Sequence, residues 1–513
     1  MQSRAPGPPD AGRPGFPAGD SPIRFRRALG TAGTCPGHSA KHGGDCAWHV
    51  FRHIGLLTGF MLTAGTVWAA DLLHVYYDAL AHDARYAASR AQREADQEKR
   101  VQGRSALLPT LGIAAGAQQN DTEITLPKDA STGPQPPKTN RRYSSNSYAL
   151  QLSTPLFRMQ NWHLYKEGEL QTELADSIFG QETQDLILRT AETYFDVLNA
   201  RDSLSAIVQL RTAAAEQLEL ARTSFKVGTV TVTDVHEAQS RFDLALAQEI
   251  AARNTLDVAL EALARIIGHS SDELAGLKPG VMLSRPEPDS IDAWVNAAEK
   301  GNFGVQAQTL VREIAVRTHQ RARAGHLPTL DLVASHSRNT RPSVSIERTE
   351  GSMVGVQLDM PLYQGGYVSS RTRETAALRI KADSDLEEAR RTAALAAREA
   401  YLGVTSGMAQ VQALEAAKIS STSSLEANQL GYKVGVRINI DVLNAQSQLA
   451  DTVQKLARAR YDTLLAQLRL KASVGSLGEE DVRAINALLE TQSRNSSSDI
   501  RPLSNTDPLF NSR

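Results

Sequence analysis

The sequence predicts a mixed α and β membrane protein. It reads as two tandem structural repeats, each giving short strands to a β-barrel and long helices to a coiled-coil shaft. Three observations point there. A set of motifs occurs twice in the same order. Each copy holds two segments that alternate apolar and polar residues with a period of two. Each strand pair then runs into an apolar-seamed segment too long for a compact globule.

Composition sets the frame. The chain has 513 residues, a formal net charge of −1 and 22% charged residues. That is the balance of a large folded protein, not of a disordered or nucleic-acid-binding chain. Hydrophobic residues make up 41% but aromatics only 5%, and stretches rich in Ala, Leu, Glu, Gln and Arg suit extended packed helices.

The N-terminal part reads as targeting. An apolar run from Ile54 to Val67 is preceded by Phe51-Arg52-His53 and followed by Val67-Trp68-Ala69. Residues 50–69 are therefore expected to be a secretory signal peptide cleaved after Ala69, since the run is shorter than the ~20 residues that span a bilayer. Residues 1–49 are rich in Pro, Gly and Arg, and no Met lies between Met1 and Met61; they are read as a mis-assigned extension with the start at Val50. Cys35 and Cys46 both precede the signal. The mature chain then has no cysteine for a disulfide, a zinc site or a lipid anchor. No later segment reaches 18 apolar residues, so a β-barrel is the remaining way to cross a membrane.

The repeats occupy 70–303, linker included, and 304–488. Phe225-Lys226-Val227-Gly228 returns as Tyr432-Lys433-Val434-Gly435, an offset of 207. At the same offset Asp234-Val235 pairs with Asp441-Val442, Ala238-Gln239-Ser240 with Ala445-Gln446-Ser447, and Gly268 with Gly475. Upstream, Leu108-Pro109-Thr110-Leu111 matches Leu327-Pro328-Thr329-Leu330.

Each repeat opens with a helix, at 71–104 and at 304–324, stopped ahead of Pro109 and Pro328. Strands are expected at 111–120, 145–154, 329–338 and 352–360, joined by polar loops at 121–144 and 339–351. Tyr148, Leu150 and Leu152 alternate with Ala149, Gln151 and Ser153, and Val354, Val356 and Leu358 with Gly355, Gln357 and Asp359. That pattern gives one face to lipid and one to water. Pro155 and Pro361 are expected to end the second strands. A helix over 158–226, whole or broken once early, would run about 100 Å. Glycines 268 and 475 are placed to cap the returning helices. Residues 270–303 link the repeats, and the tail 489–513, rich in Ser and Asn, reads as disordered.

Four strands cannot seal a barrel, because the smallest has eight, and an open edge in lipid leaves its amides unpaired. Copies must pool strands; the residues leave open whether two, three or more do so. Between the long helices, Val227-Gly228-Thr229 and Val434-Gly435-Val436 read as tight reversals with glycine at positive φ. Asp234 and Asp441 open the returning helices, where a carboxylate favours the N-terminus.

The doubled LPTL, PL-[FY], [FY]KVG and D-V-x-x-A-Q pattern resembles the TolC family of outer-membrane efflux proteins over roughly 71–488. The resemblance implies a homotrimer whose 12-stranded barrel, four strands per protomer, sits in outer-membrane lipid and continues as a periplasmic helical barrel. It implies a periplasmic adaptor, or membrane fusion protein, and an inner-membrane ABC transporter or proton-driven pump as partners. The tips 227–229 and 434–436 would face the adaptor, with Val436 departing from Thr229 in the second. An entrance gate would comprise Thr233, Asp234, Tyr432, Arg437, Asp441 and Asn444. Around a threefold axis Asp441 becomes a ring that attracts cations, and Asn444 stands where the family often has a second acid. Arg437 and Tyr432 match latch positions, with Asp234 and Thr233 as their expected counterparts. No HExxH, triad or phosphate loop occurs, so no enzyme, metal or cofactor is expected. The implied function is a passive conduit for type I secretion of a protein, such as a toxin. Drug or small-molecule efflux is the alternative, and a soluble periplasmic coiled-coil scaffold the reading from another class.

Overall fold

The computed structural model describes residues 70–124, 139–271, 273–281 and 283–490. The chain separates into two units, 1–65 and 66–513, and all described residues belong to the second. The proposed extension, the signal peptide and both cysteines lie outside the described residues.

The first repeat opens with α1 (Leu72–His82) and α2 (Ala84–Ser105). The single helix expected at 71–104 is thus broken at Asp83. Its carboxylate accepts the Tyr86 N–H at 2.6 Å and caps α2, a stronger local arrangement than helix continuation for a short acid. Strands β1 (Thr110–Ile124) and β2 (Thr139–Phe157) follow, then α3 (Met159–Lys226) and α4 (Val232–Ile267). Helix α3 is unbroken over 68 residues, about 100 Å. The second repeat carries α5 (Ile291–Gly301), α6 (Phe303–Arg323), β3 (Thr329–Ser343), β4 (Ile346–Asp359), α7 (Tyr367–Lys433), α8 (Asn439–Ser473) and α9 (Glu479–Asn486). The segment expected to be pure linker contains α5, whose Trp294, Val295 and Ala298 are buried on the long helices.

The strands form one antiparallel sheet in the order β1-β2-β3-β4. They are longer than expected, taking in both ends of the 121–144 loop and nearly all of 339–351; β3 and β4 are joined across residues 344–345. Register fixes the faces. Leu111 lies opposite Leu152, and Leu152 opposite Ala334, which faces Val354. Ile113 and Leu150, and farther down Leu332 with Val356 and Leu330 with Leu358, share that face. The other face carries Gly112, Gln151, Ser335, Gln118 and Ser145. One face is apolar and one polar, as a barrel wall between lipid and a wet lumen requires. The edges of β1 and β4 have no partner strand among the described residues.

Pro109 and Pro328 stand directly before β1 and β3, and Pro361 is the second residue after β4. Pro155 corrects the expectation: it does not end β2, which runs on to Phe157. The β2–β3 register shifts between Pro155 and Phe157, and a residue without an N–H is tolerated at such an irregularity. The turn into α3 falls at Arg158, which donates to both Asp331 carboxylate oxygens at 2.8 and 2.5 Å.

Packing is concentrated at a waist midway along the helices. Leu186, Ile187, Tyr194, Phe195 and Leu198 of α3 meet Leu263 and Ile267 of α4, Leu464 and Leu468 of α8, and α1 and α9. The waist ties the chain ends together. Ala70 bridges to Leu274 and Leu277 to Leu489, and the buried Tyr194 hydroxyl donates to the Ala275 carbonyl at 2.7 Å. Leu489 is therefore core rather than the start of the tail, because it completes this apolar cluster. Burial also pushes the Tyr76 phenol up to about 12.

Candidate gate at the helix tips

The two helix reversals share a backbone. After α3, Gly228 takes φ 78°, and after α7, Gly435 takes φ 79°, a left-handed conformation that disfavours any side chain. At the first tip the Thr229 N–H and hydroxyl both reach the Ser224 carbonyl at 3.0 Å. At the second the Val436 N–H reaches the Gly431 carbonyl at 2.9 Å. These bonds satisfy carbonyls that a helix end would leave open.

Helix entry differs. Thr231 caps α4 and Asp234 closes a capping box: the Asp234 carboxylate accepts the Thr231 N–H at 2.8 Å, and the Asp234 N–H donates to Thr231 Oγ1 at 3.3 Å. The equivalent residue at α8 is Ile438, which offers no side-chain cap. Asp441 instead lies 3.7 Å from Arg437. The Arg437 stem packs over buried Gly431, where an added Cβ would come within 2.6 Å of Arg437 Cγ.

Within this chain, neither Arg437 with Asp234 nor Tyr432 with Thr233 forms an ion pair or hydrogen bond among the described residues. Asp234 is committed to its own cap and Arg437 to Asp441. Tyr432 is nonetheless near Asp234: burial raises its phenol pKa, and the Asp234 charge adds to the rise. Near the tips, Arg241 Nη2 donates to Asn444 Oδ1 at 2.9 Å and joins the first helix pair to the second. It sits beside an apolar junction of Leu218, Ala221, Ala238 and Leu443. Asn439, in the first turn of α8, is buried with neither amide atom hydrogen-bonded.

Sequence reasoning missed Arg241, Gly431 and Asn439. A signal existed for the first. Asn444 was recognised as standing in place of an acid, and a neutral amide can accept from an Arg without making a charge pair. The other two are defined only by packing.

The tips themselves are apolar and open. Phe225, Val227, Val232, Leu430, Val434, Val436 and Ile438 are all exposed. Nothing nucleophilic or metal-ligating is gathered there. No group of three or more His, Cys, Asp or Glu among the described residues is placed to hold a metal, and no described helix is long and apolar enough to cross a membrane.

A two-faced sheet whose edges need partners, drawn out into helices of this length, defines an outer-membrane channel protomer. The chain belongs to the outer membrane efflux protein family, whose model matches residues 75–269 and 294–476. It is 34% identical to the outer membrane protein TolC of Escherichia coli, over 82% of this chain and 85% of that one. It is 31% identical to the alkaline protease secretion protein AprF of Pseudomonas aeruginosa, over 83% and 89%. The crystal structure of the Campylobacter jejuni CmeC outer membrane channel superposes with a TM-score of 0.70 at 15% identity, over 82% and 90%. The protein is thus a channel for secretion or efflux, located in the outer membrane with its helical barrel in the periplasm. Its fold is that of the trimeric TolC-type channels, a shared barrel continued by helices in two repeats.

Proposed function

We propose that this channel is the outer-membrane duct of a type I secretion system and that its cargo is a polypeptide, of the protease or toxin class. The observation that carries the reading is the match along most of the chain to a protein named for secreting a protease. Multidrug or small-molecule efflux is the second reading, favoured by the description of the family itself.

In this reading the exposed apolar tips at 227–229 and 434–436 seat a periplasmic adaptor, which links the duct to an ABC transporter or a proton-driven pump. Exposed Val227, Val434 and Val436 suit such a contact, because patches of this kind on a periplasmic end otherwise cost solubility. Closure rests on the α8 side of the entrance. Asp441 and Arg437 line it, Tyr432 packs beneath, and Arg241 ties Asn444 to the first helix pair. The two-state element is the α7–α8 pair, swinging about the waist when docking of the partners favours the open form. An Asp441 ring draws cations into the mouth.

The test is deletion of the gene in its own host. The type I reading expects one or a few large polypeptides to vanish from the medium while drug susceptibility holds. Unchanged medium with sharply increased drug susceptibility would establish the efflux reading instead.

A further inference from the structure

The apolar face of the sheet does not stay apolar to its far end. On β4 the run Leu358, Val356, Val354 continues toward the loop as Ser352, Glu350 and Arg348. Register puts Arg338 opposite Glu350, and Thr340 opposite Arg348. Tyr148 lies opposite Arg338 on β2, and farther out Arg142 faces Asp121. The parity is the same throughout. These side chains therefore belong to the outward, lipid-facing side and not to the lumen.

Their depth follows from the topology. The helices leave the opposite end of the strands, into the periplasm, so the β1–β2 and β3–β4 connections lie on the cell exterior. The charged rows sit just beyond the apolar band, where charge on the outer face of a barrel stops being costly. Arg142 is neutralised by Asp121 at 2.7 Å. Glu350 lies 3.8 Å from His336. Arg338 and Arg348 are exposed and form no ion pair among the described residues. Two unpaired guanidinium groups on each protomer thus face the head-group layer of the outer leaflet, repeated around the barrel by every copy.

We infer that Arg338 and Arg348 bind the phosphate groups of phosphorylated lipid in the outer leaflet, fixing the depth and seating of the barrel. A guanidinium fork matches phosphate oxygens two at a time and is less strongly hydrated than an ammonium. Tyr148, opposite Arg338 and exposed, is an interfacial side chain of the kind found at this level.

The test uses full-length protein purified in mild detergent and three probes: bis-phosphorylated lipid A, dephosphorylated lipid A and phosphatidylcholine. Native mass spectrometry reads lipid retained per oligomer. Phosphorylated lipid A should be retained and the other two not, and Arg338→Gln and Arg348→Gln should each lower retention about fivefold. Retention by the wild type should also fall steeply with salt. Equal retention of phosphorylated and dephosphorylated lipid A by the wild type would overturn the assignment, whether or not the variants assemble. So would full retention by an assembled double variant. Single-channel conductance of the variants should be unchanged.

Discussion

The two helix tips are the same motif 207 residues apart, yet they are held in different ways. Gly228 and Gly435 have the same φ within a degree. Thr231 and Ile438 occupy the same place, as do Asp234 and Asp441. With Thr, the carboxylate is consumed in a capping box inside its own helix. With Ile there is no cap, and the carboxylate turns to an exposed Arg437 at 3.7 Å. The side chain at the cap position therefore separates a tip whose acid bonds its own helix start from one whose acid faces an arginine. The two repeats share the reversal but engage the acid differently.

The difference can be broken or sharpened by substitution. The largest effect is expected at the junction both tips rest on. Leu443→Ala removes a buried side chain from contact with Leu218 and Ala238 and should cost about 2–4 kcal/mol locally. Limited proteolysis should then cut near 434–438 at far lower protease concentration, while the waist stays resistant. Next is the cap itself. Thr231→Ala should weaken the start of α4 by about 1 kcal/mol, raising hydrogen exchange over 232–238 toward that of 439–445. Ile438→Thr should do the reverse, slowing exchange in α8 and drawing Asp441 away from Arg437. A smaller effect is expected from Arg437→Ser, which removes an exposed pair of about 0–1 kcal/mol; single-channel recording should find more frequent openings, with Tm unchanged.

The smallest lies at the waist, the reference both tips share. Burial holds the Asp202 carboxyl above its ordinary value, against the opposing hydrogen bond from Tyr461. The folded state then binds that proton more tightly than the unfolded state. Its contribution to stability is lost as pH rises through the carboxylate range. Asp202→Asn does not titrate. Its stability relative to wild type should improve as pH rises above the ordinary carboxylate value of about 3.9, as read by thermal unfolding.

Much of this was legible in the sequence because periodicity and punctuation carried it. The doubled [FY]KVG motif placed both reversals, and Gly268 and Gly475 both helix ends, since left-handed positions select glycine. Alternation at 148–153 and 354–359 gave the two faces of the sheet. The strands run past the expected bounds: Thr139–Ser144 and Asn339–Ser343 are mostly polar on both faces, so no alternation marks them, and only pairing with a neighbour makes them strand. The break at Asp83 was missed because one acid in a helical pattern looks like surface. Pro155 was over-read, since the register shift that accommodates it depends on β3. At the tips, this chain pairs Asp234 with Thr231 and Arg437 with Asp441. Local capping outcompetes a cross-helix link for Asp234, and the sequence gives no distance from Arg241 to Asn444.

We propose that the duct is held closed from the α8 side, through Arg241–Asn444 and Arg437–Asp441, and not at the self-capped first tip. Planar-bilayer recording of the Arg241→Ala, Arg437→Ser double variant beside Thr231→Ala tests it most directly. The double variant should show a severalfold rise in conductance, and Thr231→Ala the wild-type conductance. A rise in Thr231→Ala with no change in the double variant would contradict it.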